Sequence, residues 1–145
     1  MFTVKLLPSQ VPSMWDAIKF ASRKAHVTVE EELPKYLNKL LHDLLSGKAQ
    51  CFVRLSDERR LMAMSVTRII LDEYTGDKLL HVDSLYAFES GDKEQWISDV
   101  KYGAKFAKAV GCNRIATCST NDQASRLAEL VGFKERYRYF VREVD

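Results

Sequence analysis

The chain has 145 residues, of which 46% are apolar and 29% are charged, and its formal net charge is only +2. This composition is typical of one globular domain with a hydrophobic core, and it excludes a disordered or fibrous protein. So small a positive charge gives no strong attraction to nucleic acid or to an anionic membrane. We therefore expect a single domain over residues 1–145.

The first half of the chain predicts a strand, two helices and a three-stranded meander. Ser13 with Asp16 resembles a capping box, and apolar residues follow at helical spacing. Pro34 lacks the amide proton that a helix interior uses, so the second helix is expected to be continuous from this residue and to stop at Gly47. The predicted elements are a strand at 2–7, helices at 13–25 and 28–46, and strands at 50–56, 61–71 and 78–88.

The second half predicts helices and strands in alternation. Gly111 and Gly132 are typical stop signals, and Asn121 is a typical helix cap. The predicted elements are a helix at 93–110, a strand at 113–119, a helix between 121 and 132, and a strand at 133–144. The order is β-α-α-β-β-β-α-β-α-β. One mixed, mostly antiparallel sheet with helices on both faces would bury all the apolar stripes, which is an α/β (α+β) architecture.

The cysteines and the chain's first residues point to a reducing compartment. Cys51, Cys112 and Cys118 show no CxxC spacing, which favours reduced thiols over a disulfide framework or a zinc site, and no metal site is predicted. Cys51 and Cys118 lie in apolar strand-like runs, which predicts buried and inert thiols. The first residues lack a basic leader followed by an apolar stretch, so no signal peptide is expected. No apolar run approaches the roughly 18 residues of a membrane span.

The segment NDQASRLAELVGF at 121–133 carries the most specific pattern in the chain, an Asn followed by apolar pairs and a terminal Gly-Phe. Together with AKAVGCNRI at 107–115, it resembles the corresponding motifs of the GNAT superfamily of acyl-CoA-dependent N-acyltransferases. The similarity in sequence is confined to about 104–133, whereas the similarity in element order spans nearly the whole chain. The resemblance implies the GNAT fold.

The resemblance also implies acetyl-CoA as cofactor, bound by the fourth strand and the loop after it. In the family this strand splays from its neighbour and offers backbone groups to the pantetheine arm. Amides at the next helix N-terminus hold the pyrophosphate, since unpaired N–H groups and the helix dipole favour an anion. The residues that the resemblance assigns to the cofactor are Leu85, Tyr86, Ala87, Gly91, Lys93 and Asn121.

The loop departs from the family's pattern of Arg/Gln-x-x-Gly-x-Gly/Ala. Asp92, Glu94 and Trp96 stand near its glycine positions, and only Gly91 survives nearby. The two carboxylates would repel a pyrophosphate, and the indole would block a close backbone approach. Acidic residues in a first helical turn also stabilise the helix dipole without any ligand, so a relaxed cofactor loop and a lost one are both open.

His81 and Asp83 are the candidate catalytic residues. Amine acetylation needs a base and donors for an oxyanion, and the resemblance implies a carboxylate or an ordered water on the fourth strand. These two residues would share one strand face and could act as base and orienter, although a polar patch without chemistry is the alternative. The tyrosine acid found in many family members is replaced by Ala128, and Tyr137 or Tyr139 could approach the site instead.

Three functions stay open at this point. The first is acetyl transfer from acetyl-CoA to an unidentified small-molecule or protein amine. The second is a catalytically inactive protein of the same fold that acts through protein contacts or self-association, as in the accessory or virion-assembly proteins of bacteriophages that such degenerate chains resemble. We expect a cytoplasmic protein, or a virion-associated one if a phage encodes it.

The third function is the binding of nucleic acid or an acidic partner. Arg136, Arg138 and Arg142 alternate with aromatic and apolar residues on the predicted last strand. An amphipathic strand with one wet face explains the same pattern and is the favoured interpretation. The third function is therefore ranked last.

Overall fold

The computed structural model describes residues 1–26 and 28–144. Short 3₁₀ turns at Pro8–Gln10 and Glu30–Glu32 precede the first two helices. The described strands and helices, in chain order, are β1 (Phe2–Lys5), α1 (Val11–Ala25), α2 (Leu33–Ser46), β2 (Ala49–Leu55), β3 (Leu61–Leu71), β4 (Lys78–Ala87), α3 (Lys93–Ala109), β5 (Arg114–Thr117) and α4 (Asp122–Leu130).

The strands form one sheet in the order β1-β2-β3-β4-β5. The first four pair with their neighbours in antiparallel fashion, whereas β5 pairs with β4 in parallel. A parallel pair needs a crossover connection, and α3 supplies it between β4 and β5. The predicted meander and the mixed, mostly antiparallel sheet are confirmed.

Helices cover both faces of the sheet, as predicted. α1 and α2 pack on one face, where Ile18 and Leu40 are fully buried against β2 and β3. α3 packs on the other face, where Ala107 is buried against Leu80 of β4. Burial of a side chain such as Ile18 contributes about 1.5–3 kcal/mol, so the two layers of core stabilise the sheet from both sides. None of the described helices is both long enough and apolar enough to cross a membrane.

The starts of the first two helices show how proline sets a helix boundary. Pro34 lies in the first turn of α2, as expected, and Gly47 ends that helix with a φ of 83°. The predicted capping box of Ser13 and Asp16 is wrong, because α1 begins earlier, at Val11. Pro12 presets the helical φ in that first turn, and the Ser13 hydroxyl donates to the carbonyl of Gln10 instead, at 2.9 Å.

The predicted last strand is also wrong. Residues 133–144 form no strand in the structure, and Tyr139 and Phe140 are 82% and 87% exposed. Alternating side chains stabilise a strand only where its backbone pairs and one of its faces is covered. Neither condition holds in this segment, so its alternation of arginine and aromatic residues has no strand to stabilise.

Candidate active site

A cleft of about 760 Å³ opens where β4 and β5 separate, and we call it the β4–β5 cleft. The two strands pair only between Leu79–Val82 and Arg114–Thr117. Beyond Val82, the edge of β4 has no partner strand on that side within the described chain. The second half of β4, the first turns of α3, the end of β5 and α4 form the walls. Such a volume is in the range of small-molecule sites, and the splayed strand agrees with the family's geometry.

Most of the residues assigned to the cofactor line this cleft. They are Leu85, Tyr86, Ala87, Gly91 and Asn121. The Asn121 side chain also caps α4, because its Oδ1 accepts a hydrogen bond from the amide of Ala124 at 2.8 Å. Lys93 is the exception, since it is exposed at the start of α3 and is not among the described residues of the cleft wall. The cation predicted to meet a pyrophosphate therefore lies outside the cleft.

The N-terminus of α3 is closed by the protein's own carboxylate. Asp92 is the N-cap, and its Oδ1 accepts from the amide of Gln95 at 2.9 Å. The Gln95 side chain accepts in turn from the amide of Asp92, also at 2.9 Å, which completes a capping box. A helix N-terminus attracts an anion through its unpaired amides and its dipole. Here the Asp92 carboxylate already takes that position, so a pyrophosphate would have to displace it.

A buried arginine lies under the loop between β4 and α3. Arg54 of β2 is 3% exposed, stacks its guanidinium 4.5 Å from the centre of the Trp96 ring, and donates to Asp99 at 2.7 Å. Its Nε and Nη2 have no hydrogen-bond partner among the described residues. A Cβ at Gly91 would come within 2.7 Å of that Nη2. A side chain at this position would therefore displace the Arg54 guanidinium, so the packing of Arg54 favours glycine whether or not a cofactor binds.

The role of this arginine was not predicted from the sequence. Its signal was a single charge within the apolar strand AQCFVRL, matched by Asp99 in the helix that packs on the same face. Burial raises the pKa of the Asp99 carboxyl, while the Thr3 hydroxyl and Arg54 oppose that shift.

Trp96 lines the cleft but does not fill it, because it lies against Arg54. The space for a ligand along β4 is thus preserved.

A line of hydrogen-bonded polar side chains runs along the sheet face that α1 and α2 cover, toward the cleft. Asp43 of α2 accepts from Arg68 Nη1, and Arg68 Nε donates to Asp83 Oδ2 at 2.6 Å. Asp83 Oδ1 then meets His81 Nδ1 at 2.8 Å. The predicted contact between His81 and Asp83 is thus observed. Its support by Arg68 was not foreseen, because β3 and α2 meet only in three dimensions.

A bulge in β4 helps to aim Asp83. Val66 of β3 pairs with Ser84 and the next residue pairs with Val82, so Asp83 is the extra residue of the ladder. Bulges redirect a side chain and are common next to active sites. Burial, together with the nearby Asp83 charge, raises the pKa of Tyr36 to about 12, although Arg68 opposes this shift. The neighbouring phenol therefore stays neutral at physiological pH.

The far end of the polar line is anchored in the core. Asp43 is 2% exposed and also accepts from Lys39 at 3.0 Å. Burial acts to raise the pKa of Asp43, but the hydrogen bonds and charges of Arg68 and Lys39 together outweigh it and hold that pKa below its ordinary value. The carboxylate is therefore ionised at neutral pH and fixes the position of Arg68.

Cys118 ends the same line at the cleft. The prediction of a buried, inert Cys118 is wrong, because β5 ends at Thr117 and the next residue is exposed on the cleft wall. Its Sγ lies 3.6 Å from His81 Nε2. Cys51 is buried as predicted, and burial raises the pKa of its thiol to about 12.

No tyrosine from the C-terminal segment reaches the site. Tyr137 and Tyr139 are 73% and 82% exposed, and neither is among the described residues of the cleft wall. They were expected to approach as part of a last strand, which does not form. Tyr86 does line the cleft, and its ring packs edge-on against Phe88 at 5.0 Å.

Comparison with known proteins identifies the fold. No family model matches the chain, and no curated protein sequence does. Solved structures match over its full length. A probable acetyltransferase has a TM-score of 0.72 at 16% identity, with 100% of this chain and 99% of that chain covered. The aminoglycoside 6'-N-acetyltransferase AAC(6')-Ih from Acinetobacter baumannii has a TM-score of 0.69 at 16% identity, with 99% of each chain covered.

A third structure, the aminoglycoside N-acetyltransferase AAC(6')-Iy in complex with CoA, has a TM-score of 0.70 at 10% identity, with 99% of this chain and 93% of that chain covered. Structural matches at identities this low establish the fold alone. The acyl donor and the acceptor of this chain must therefore be argued from its own residues. The resemblance first indicated by residues 121–133 is thereby confirmed at the level of the fold: the chain has the fold of these acetyltransferases, the GNAT fold.

Proposed function

We propose that this protein is an N-acyltransferase that moves an acetyl group from acetyl-CoA to an amine, within the β4–β5 cleft. The observation that carries the proposal is the polar line that runs through His81 to Cys118. Asp83, which lines the cleft, meets Nδ1 of the imidazole at 2.8 Å. His81 itself is not among the described residues of the cleft wall, but its Nε2 lies 3.6 Å from Cys118, which is. An imidazole held in this way is suited to accept a proton from an ammonium or from an attacking amine.

The residues present fit one part of acetyl-CoA well. The unpaired edge of β4 beyond Val82 leaves backbone groups that can pair with the amides of a pantetheine arm, and the cleft has room for it. Acetyl-CoA supplies the acetyl group as a thioester. Leu85, Tyr86 and Ala87 line the wall along which that arm would extend.

The same residues fit the pyrophosphate poorly. The Asp92 carboxylate caps α3, and Arg54, which lies under the loop, is 3% exposed and paired with Asp99. Arg60, the other arginine in contact with the loop, is paired with Glu89 at 2.7 Å. We therefore propose that the donor is recognised mainly through its thioester and pantetheine end. Two of the structural neighbours acetylate aminoglycosides by name, which supports a small-molecule amine as acceptor.

Calorimetry and thermal unfolding with acetyl-CoA test this function. A ligand at 100 times its dissociation constant stabilises the folded state by about 2.7 kcal/mol. Gly103 of α3 lines the cleft, and a Cβ there meets no atom within 4 Å. Gly103→Trp should fill the cleft and abolish the shift, whereas Gly103→Ala should retain it. The absence of any shift in the wild-type protein at millimolar acetyl-CoA would refute the proposal.

An inactive protein that acts through contacts is the second candidate. The observation in its favour is the exposed apolar C-terminal segment, in which Tyr137, Phe140 and Val141 are 73%, 87% and 72% exposed. Exposed apolar groups of this kind are typical of interaction sites. Sedimentation at several protein concentrations tests this candidate. Self-association that depends on the C-terminal segment would favour it, whereas a monomer that binds acetyl-CoA would favour the enzyme.

The structure does not contain the strand on which the nucleic-acid hypothesis was based. The three arginines were expected on one face of a strand, and that strand does not form. Arg138 instead pairs with Glu135 at 3.1 Å. We expect no salt-dependent retention on DNA.

A further inference from the structure

Cys118, His81 and Asp83 lie in the order that activates a nucleophile. Cys118 Sγ is 3.6 Å from His81 Nε2, and His81 Nδ1 is 2.8 Å from Asp83 Oδ1. The thiol and the carboxylate meet opposite nitrogens of the ring, so the three groups form a line and do not surround a common point. They are therefore arranged for proton transfer and not for chelation, and no metal-binding cluster occurs among the described residues.

The supporting contacts fix the direction of that proton transfer. Asp83 is held by Arg68 Nε at 2.6 Å, and Arg68 is held in turn by Asp43. A carboxylate facing Nδ1 requires that nitrogen to carry the proton, so Nε2 presents its lone pair to the thiol of Cys118. The charged groups around the line are Asp83, Arg68, Asp43 and Lys39, and the phenol of Tyr36 beside them is neutral.

Accessibility separates this cysteine from the other two. Cys118 is exposed and lines the β4–β5 cleft, whereas Cys51 and Cys112 are buried. A reactive cysteine needs both a basic partner and access to a substrate. Cys118 alone among the three described thiols has both.

We propose that Cys118 is a nucleophile that takes up the acyl group of a thioester donor, so that the reaction proceeds through an acyl-cysteine. The identity of the donor as acetyl-CoA rests on the function proposed above, whereas the reactivity of Cys118 rests on the three contacts alone. His81 acts as the base in this step, and Asp83 and Arg68 are positioning residues.

The step balances without any oxidant or reductant. His81 Nε2 takes the proton of the Cys118 thiol, and the sulfur attacks the carbonyl carbon of the donor thioester. The bond between that carbon and the donor sulfur breaks, and the donor leaves as a thiol with the proton from His81. An amine, or water, then attacks the acyl-cysteine with His81 again as base. The products are an amide or a carboxylic acid, together with the regenerated Cys118 thiol.

Alkylation with iodoacetamide tests the activated thiol without any cofactor. Peptide mapping resolves Cys118 from the two buried thiols, and the alkylation rate of Cys118 is compared at one pH in the wild-type protein and in His81→Asn. An imidazole that accepts the thiol proton speeds the reaction of the sulfur. We expect His81→Asn to slow the alkylation of Cys118. An equal rate in the two proteins overturns the proposal.

Acyl transfer is tested with two donors in parallel, acetyl-CoA and S-acetyl-N-acetylcysteamine, which carries the thioester end without the nucleotide. Thiol release and the intact mass of the protein are measured for each. We expect release that falls about 10²- to 10⁴-fold in His81→Asn, and loss of release and of the acetyl adduct in Cys118→Ser, which keeps a hydroxyl in place of the thiol.

The two donors separate the failure of each proposal. Turnover of the short thioester alone supports the acyl-cysteine and refutes acetyl-CoA as donor. Turnover of acetyl-CoA that is equal in Cys118→Ser and in the wild-type protein supports the acyltransferase but overturns the acyl-cysteine. The acyl-cysteine proposal is also overturned if neither donor gives an acetyl adduct or releases a thiol.

Discussion

Two carboxylates of this protein act in opposite ways because their surroundings differ. Asp43 is buried in α2 and receives hydrogen bonds from Arg68 and Lys39, which keep it ionised. Asp92 is at the surface and caps α3 through a backbone amide. The first stabilises the polar line behind the candidate site, and the second competes with any phosphate for the same helix N-terminus.

The Asp43 contact predicts an acid-sensitive stability. Because the pKa of Asp43 in the folded state lies below its ordinary value of 3.8, the unfolded chain binds the proton more tightly, and the contribution is present above about pH 4 and lost as the pH falls below it. We expect Asp43→Asn to lower the free energy of unfolding by about 1.5–3 kcal/mol at pH 7 and by much less near pH 2.

Urea unfolding at the two pH values measures this difference. Lys39→Met is the matched control, because that lysine is 69% exposed and its removal should cost less than about 1 kcal/mol. A loss that is equal at both pH values would show that the Asp43 carboxylate is not the source of the effect.

The cap at Asp92 predicts a gain of function by substitution. Asp92→Gly removes the carboxylate from the α3 N-terminus and, because glycine is an acceptable N-cap, costs only a few tenths of a kcal/mol in stability. We expect acetyl-CoA to bind roughly tenfold more tightly, which corresponds to about 1.4 kcal/mol. Calorimetric titration measures the change.

Asp92→Asn separates charge from backbone freedom in the same experiment. Asparagine keeps a capping oxygen but carries no charge. If repulsion of the pyrophosphate is the cause, both variants tighten binding. Unchanged affinity in both would mean that the phosphates do not approach α3.

At the scale of elements, two glycines on helices have opposite requirements. Gly47 ends α2 in the left-handed region at a φ of 83°, whereas Gly103 lies inside α3 with an ordinary helical backbone. A Cβ would meet no atom within 4 Å at either position. Only the backbone conformation therefore distinguishes the two sites.

The same substitution should consequently change stability in opposite directions. Gly47→Ala is expected to lower the free energy of unfolding by about 1–2 kcal/mol, because alanine is strained at positive φ. Gly103→Ala is expected to raise it by about 0.5–1 kcal/mol, because alanine restricts the unfolded chain and favours the helix. Thermal unfolding of the two variants is the measurement, and a change of the same sign in both would contradict this account.

Local patterns explain which elements could be predicted from the sequence. β3 spans Leu61–Leu71 as predicted, since polar turns bound its β-branched residues on both sides. α2 begins and ends where Pro34 and Gly47 require. These features depend on neighbours in the sequence, and periodicity detects them.

The candidate site was predictable only in part, because it depends on contacts between distant segments. His81 and Asp83 were found since they lie on one strand. Cys118 was misjudged, as its exposure depends on where β5 stops pairing with β4. Arg54 was overlooked because its partners Trp96 and Asp99 lie about forty residues away in the chain.

At the scale of the whole molecule, the C-terminal segment lies on the surface, where Arg136 interacts electrostatically with Asp72 of the turn between β3 and β4. From Lys134 onward the described residues form no helix or strand, and most of their side chains are exposed. Tolerance of truncation follows from burial and hydrogen bonding of the removed backbone. This segment therefore contributes little to the stability of the fold.

Removal of residues 134–145 should test that independence. We expect the free energy of unfolding in urea to change by no more than about 0.5 kcal/mol, as for surface changes that remove no buried contact. A Phe140→Ser, Val141→Ser double variant is the matched full-length control. A loss of several kcal/mol at low protein concentration would mean that the segment packs onto the fold in solution.

The stacking of Arg54 on Trp96 gives the cleft an optical reporter. Trp15, the second indole of the chain, packs against the core of α1 and α2, away from the cleft wall to which Trp96 belongs. Indole emission responds to a nearby cation and to exclusion of water, and a molecule that enters beside Trp96 alters both. With Trp15 replaced by phenylalanine, the remaining fluorescence would follow occupancy of the cleft in real time, without a label and without knowledge of the acceptor.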